Sequence, residues 1–163
     1  LNTVLFPGVS LPLHIFEPRY RQMIADCLEG DRTFGVCLIQ SGQEVGGTAD
    51  PHPLGTTCEI RKVTRLEDGR MLLETAGVQR FRLHATFRDK PYLEGEVEPL
   101  EADIAPVPED LRRRVSERAL LYLSALLTLQ GRPEVEVSLP EEPSTLSYLV
   151  GALLSAGVLL IVC

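Results

Sequence analysis

Hydrophobic and polar positions change period along the chain, and the changes mark out its elements. Behind a Pro7-Gly8 turn, Val9, Leu11, Leu13 and Ile15 alternate with Ser10, Pro12, His14 and Phe16, the period of a half-buried strand. Pro12 has no N–H to donate, so this strand is expected at a sheet edge or beside a bulge. Pro18 suits the first position of a helix with Tyr20, Met23, Ile24, Cys27 and Leu28 on its buried face and Gly30 as terminator. Thr33 to Gln40 (TFGVCLIQ) is apolar on both faces and predicts a central strand. Ser41 to Gly55 reads as a Gly- and Pro-rich loop of a length uncommon in compact domains. Such loops are functional, mobile or simply tolerated insertions.

Three more strands are predicted over Thr56 to Leu66, Arg70 to Ala76 across an Asp68-Gly69 turn, and Val78 to Phe87 beyond Gly77. In the last of these, Phe81, Leu83, Ala85 and Phe87 share one face and Arg80, Arg82, His84 and Thr86 the other. Leu93 to Val97 completes the set, with Glu94, Glu96 and Glu98 outward. After an acidic, proline-containing stretch from Pro99 to Pro108, the period becomes helical from Glu109 to Gln130 and stops at Gly131. That helix carries Leu111, Val115, Ala119, Tyr122, Leu126 and Leu129 in one stripe, broadened by Leu120, Leu123 and Leu127, and is expected to be packed over much of its circumference. A second helix is expected to start at Ser144 as N-cap and to turn Leu146, Leu149, Val150, Leu153 and Leu154 toward the first. The uncharged run Leu149 to Cys163 is fifteen residues long, short of the roughly 20 that span a bilayer, and predicts a buried helix rather than an anchor.

A 163-residue chain with 44% hydrophobic and 24% charged residues fits one globular domain, or a β module with a helical appendage, and not a disordered or repeat-built chain. Its net charge of −7 opposes a phosphate backbone, so nucleic-acid binding would need a segregated basic patch. Residues 60 to 90 hold Arg61, Lys62, Arg65, Arg70, Arg80, Arg82, Arg88 and Lys90 against Glu67, Asp68, Glu74 and Asp89, which reads first as solvated strand faces. Cys27, Cys37, Cys58 and Cys163 lack C-x-x-C spacing, and the first three sit in apolar-periodic segments, as reduced core residues do. The chain opens at Leu1 rather than Met without a secretory pattern; a few initial residues are expected to be missing, and the protein to be cytoplasmic.

The opening LNTVLFPGVSLPLHIFEPRYRQMI closely resembles that of stand-alone bacterial proteins carrying the N-terminal substrate-binding domain of the Lon protease family. The resemblance continues through FGVCLIQSGQEVG, the block from Gly55 to Leu83, PYLEGEVEPL and the helix of Leu111 to Gln130, up to Leu154. It implies an α+β fold: a PUA-like β pseudo-barrel with one short helix over residues 1–100, then a small helical subdomain over 101–163, packed on or beside it. In cereblon and full-length Lon this β domain serves protein interaction, so the resemblance implies recognition of unfolded or degron-bearing proteins. The expected partners are protein or peptide clients, with a protease or chaperone as a further partner, and no membrane. After Ser155 the chain departs from the charged helical ending of the family.

Catalytic chemistry has little to draw upon. No G-x-x-x-x-G-K-[ST] loop or G-x-S-x-G elbow occurs, and Lys62 and Lys90 are the only lysines, so neither the ATPase nor the Ser-Lys protease of full-length Lon is expected. No cofactor or metal is expected either, since His52 with Cys58 falls short of a four-ligand set. Glu17 reads as a helix-start residue. The candidate binding residues are His14, at a strand edge where a peptide could add main-chain hydrogen bonds, and Gln43, Glu44, Val45, His52 and Leu54 of the predicted loop. The alternative is an RNA-binding PUA-like module resting on the basic segment.

Overall fold

Hairpin chemistry sets the centre of the fold. Asp68 accepts the Arg70 N–H at 3.0 Å, and Gly69 takes φ +80°, a conformation that costs glycine little, so the chain reverses between two long strands. These are β3 (Asp50–Arg65) and β4 (Met71–Phe87), paired antiparallel from Leu54↔Arg82 to Arg65↔Met71. A computed structural model describes residues 3–42, 49–101, 105–132 and 134–159, the last four by backbone alone. Around the hairpin lie β1 (Ser10–Ile15), α1 (Pro18–Glu29), β2 (Thr33–Ser41) and β5 (Glu94–Pro99), followed by α2 (Glu109–Leu129) and α3 (Pro143–Leu159). The first half of β4 lies between β1 and β3, its second half between β3 and β5, while β2 pairs with β3. The α+β class is as expected, and the antiparallel sheet is open rather than a closed barrel.

Pro12 sits at the sheet edge, opposite Glu74, where its missing N–H breaks no ladder. Other expectations need correction. The predicted central strand, β2, pairs only with β3 among the described residues; its Phe34 and Val36 pack in the core, while Gly35, Cys37 and Ile39 are not in it. Phe34 packs against both core clusters. The predicted loop is shorter than Ser41 to Gly55, because Asp50 to Gly55 belongs to β3. Its Pro51 and Pro53 are tolerated there because only β2 flanks that end. The two strands predicted on either side of Gly77 are one continuous β4, with a register shift where Cys58 faces Gly77. There the N-terminal chain crosses so closely that Gly8 N–H bonds Gly77 O and Gly77 N–H bonds Val9 O, both at 2.9 Å.

The main core gathers Ile15, Ile24, Ile60, Met71 and Leu73 between α1 and the sheet; a second cluster holds Leu5, Val36 and Cys58. Two buried polar side chains are satisfied in series: Cys58 Sγ donates to Thr75 Oγ1 at 3.1 Å, and Thr75 donates to Leu11 O. Of the three cysteines expected in the core, only Cys58 is buried; Cys27 and Cys37 are half-buried. α1 ends at the expected Gly30, but the residue with positive φ is Arg32, at 63°.

The helical part departs more from expectation. Only Ala119 of α2 is buried, while Leu121, Leu129 and Tyr122 are exposed, so the helix is not packed around its circumference within the described residues. Val150, Leu153 and Leu154 of α3 line a cleft shared with Leu111, Val115 and Tyr122 of α2, and α3 docks on the sheet where Phe6 packs beside Tyr148 and against Gly151. The cap of α3 is Glu142, not Ser144. Pro143 takes the first helical position, and the Glu142 carboxylate accepts the N–H groups of Ser144 (3.0 Å) and Thr145 (2.6 Å). Bonds from Ser144 and Thr145 pull the Glu142 pKa down from 4.5 to about 2. A lowered folded-state pKa stabilises above the unfolded value and is lost as pH falls from about 4.5 toward 2. The melting-temperature difference between wild type and Glu142→Gln should therefore be largest above pH 4.5 and vanish near pH 2; a pH-independent difference would refute the cap.

Candidate functional site

Strands β1 to β5 and helix α1, distant in sequence, converge on one groove of about 830 Å³. Its floor is Phe81 and Leu83 of β4 with Thr57 of β3; β2 contributes Gly35, Cys37 and Ile39, and β5 contributes Gly95 and Val97. α1 adds Tyr20 and Met23. β2 and β5, each an edge of the sheet at this end, thus line the same groove without pairing with one another among the described residues. Glycines make room for the floor. A Cβ on Gly55 would lie 2.4 Å from Phe81 Cζ and 2.6 Å from Cys37 Sγ, and one on Gly95 would lie 2.6 Å from Leu83 Cδ1.

A polar strap joins α1 to the segment entering β5. The Tyr92 hydroxyl donates to Asp26 Oδ2 at 2.5 Å, and Lys90 Nζ lies 2.9 Å from Glu94 and 3.7 Å from Asp26. Hydrogen bonds from Tyr92 first and Gln22 next hold the Asp26 carboxyl below its ordinary range. Desolvation, then the bond to Asp26, raises the Tyr92 phenol. Tyr92 and Glu94 raise the Lys90 ammonium, so the strap keeps its charges at neutral pH. Burial pushes the Cys27 and Cys37 thiols up, which leaves the cysteines on the groove protonated and poorly nucleophilic.

The expected binding residues do not form one site. His14 reaches the groove, its ring 5.8 Å from that of Phe16. His52 accepts the Leu54 N–H through Nδ1 at 3.2 Å, and neither residue lines the groove. His14 pairs opposite Leu72 and Leu54 opposite Arg82, ten positions apart along β4, or roughly 30 Å at about 3.3 Å per residue. Gln43, Glu44 and Val45 lie outside the described residues. Sequence reasoning missed Phe81, Gly35, Gly95 and the Asp26–Tyr92 strap. The aromatic-glycine combinations were the one available signal, and they became readable only once register placed them together.

The basic segment is threaded with carboxylates: Lys62 meets Glu74 at 2.9 Å, Arg70 meets Asp68, and His84 Nε2 lies 3.0 Å from Glu98. Glu17 accepts from Arg19 Nε at 2.9 Å. Among the described residues no helix is long and apolar enough to cross a membrane.

Residues 1–158 match the ATP-dependent protease La (LON) substrate-binding domain family. The chain belongs to this family. It is similar to a Lon protease of Syntrophus aciditrophicus, 24% identical over 96% of this chain and 21% of that protein. A Lon protease of Parabacteroides distasonis is 33% identical over 61% of this chain and 12% of its own length. The chain thus spans about a fifth or less of these Lon proteases. A Lon N-terminal domain protein from Xanthomonas campestris superposes with a TM-score of 0.58 at 36% identity, covering 74% of this chain and 70% of that one. The N-terminal domain of the Mycobacterium avium complex Lon protease, 16% identical, shares the fold at a TM-score of 0.61 over 96% and 76% of the two chains. As a Lon substrate-binding domain, the chain presents its groove on the part of the fold built by residues 13–97.

Proposed function

We propose that this Lon-type domain works in the cytoplasm as a non-catalytic recognition module for unfolded or degron-bearing proteins, with a protease or chaperone as a further partner. The β module, residues 1–100, carries recognition, and residues 101–163 form the helical subdomain. One observation carries the reading: the open groove over buried Phe81, whose accessible apolar lining includes Ile39, Leu83 and Val97, rimmed by α1, β2 and β5. Its apolar lining suits side chains that a folded client would bury, and the charged residues around it, among them Arg88, Lys90 and Glu94, can orient them. Protonated Cys27 and Cys37 support binding rather than nucleophilic chemistry.

The test is binding of a permanently unfolded protein, reduced and carboxymethylated lactalbumin, by anisotropy. The wild type should bind it, and Gly55→Leu, which fills the space of Phe81 and Cys37, should weaken binding by about tenfold or more, given roughly 1.4 kcal/mol per decade. Circular dichroism checks that the variant folds, and Gly95→Leu at the opposite wall provides a second variant. Binding no tighter than that of an unrelated acidic domain would refute the proposal. Salt-sensitive RNA affinity in the same assay would favour the RNA-binding alternative instead.

A further inference from the structure

Edge strands expose a row of unsatisfied N–H and C=O groups, and proteins blunt them with proline, charge or cover. β1 is blunted by Pro12, and β5 by Glu94, Glu96, Glu98 and Pro99. β2 differs: from Thr33 to Ile39 (TFGVCLI) it carries neither proline nor charge, although it pairs on one side only among the described residues.

The ladder tells which backbone groups are available. Arg32 O accepts the Ile60 N–H at 2.8 Å, and the register runs Thr33↔Glu59, Phe34↔Cys58, Gly35↔Thr57. In an antiparallel pair, hydrogen-bonded and non-hydrogen-bonded positions alternate. Phe34 and Val36 therefore exchange bonds with β3, while Thr33, Gly35 and Cys37 turn their N–H and C=O groups away from it. Thr33 fits this assignment, since its N–H is taken by Asp31 Oδ1 at 3.1 Å. Gly35 is exposed and has no side chain in the path, and both Gly35 and Cys37 line the groove.

We propose that the occupant of the groove is an extended polypeptide segment that adds a strand to β2, bonding the outward main-chain groups of Gly35 and Cys37. This rests on the recognition reading and deepens it. Alternate side chains of an added strand point to opposite faces, so the segment recognised is apolar at every second residue, those residues meeting half-buried Leu83 and exposed Val97. Main-chain pairing leaves the order of residues largely free, as a receptor for many clients requires.

The probe is a fluorescein-labelled hexapeptide alternating leucine and serine, assayed with the whole chain. Binding should slow amide exchange at Gly35 and Cys37 by at least about tenfold and leave Phe34 and Val36, already bonded to β3, unchanged. N-methylation of the peptide at alternate residues should weaken binding about tenfold in one register and little in the other, because each methyl removes one donor. Binding of the peptide and of unfolded lactalbumin without either signature would overturn strand addition and leave recognition standing. Failure of both ligands to bind would overturn the two together.

Discussion

Ile24→Ala should lower stability by about 2–5 kcal/mol, the range for removing a large aliphatic side chain from a closed core. Ile24 is 0% exposed and lies where α1 meets Ile15, Ile60, Met71 and Leu73 from three strands. For a chain of this size each kcal/mol shifts the melting temperature by roughly 2–4 °C, so a fall of about 10 °C is expected in a thermal scan. Leu121→Ala on α2, a residue 65% exposed, should change stability by only about 0.5 kcal/mol or less. A similar loss for both variants would mean that α1 is not keyed into the sheet as described. Because Tyr20 and Met23 of the same helix line the groove, Ile24→Ala should also weaken binding of unfolded protein.

Gly77→Ala should destabilise by about 1–3 kcal/mol or more, through collision rather than a cavity. Its Cβ would stand 2.4 Å from the Phe6 carbonyl oxygen and 3.0 Å from the carbonyl carbon, backbone atoms that no rotamer change can move. Relief requires the 5–9 segment to shift, breaking its bonds with Gly77 and pulling Phe6 from Tyr148 and Gly151. Limited proteolysis should therefore cut α3 of the variant sooner than α3 of wild type. Gly131→Ala separates strain from collision: its φ is +71°, yet nothing lies within 4 Å of the added Cβ, so a cost of only about 1 kcal/mol is expected. Equal effects at the two glycines would rule out the close crossing of Phe6 over β4.

Both experiments probe features with unequal visibility in the sequence. The turn at Asp68-Gly69, the helix opening at Pro18 and the edge position of Pro12 are local, each set by the φ, the missing donor or the side-chain acceptor of one or two residues. Gly77 misled for a related reason. Taken alone, a glycine amid alternating residues signals a break, but here it permits the continuous β4 to pass beneath another stretch of backbone. Ser144 was mistaken for the cap because a hydroxyl after proline is a common signal, whereas the carboxylate one residue before the proline reaches two N–H groups.

The candidate site was the least legible part. His14, expected at a strand edge, lies beside the groove, whereas His52 and Leu54, expected in a loop, belong to β3, and register carries them toward the opposite end of β4. The residues that line the groove, such as Gly35, Phe81 and Gly95, are individually ordinary strand residues.

Alternation, turn chemistry and the quoted motifs were enough by themselves to determine where strand and helix occur, though not the continuity of β4 or the start of β3, and the likeness to Lon substrate-binding domains. Tertiary structure alone decided that β2 is an edge, that β2 and β5 line one groove without pairing, and that Tyr92 reaches Asp26 across 66 positions. The reason is physical: period and propensity depend on neighbours a few residues away, while a strand's free edge is defined by which distant strands do not pair with it.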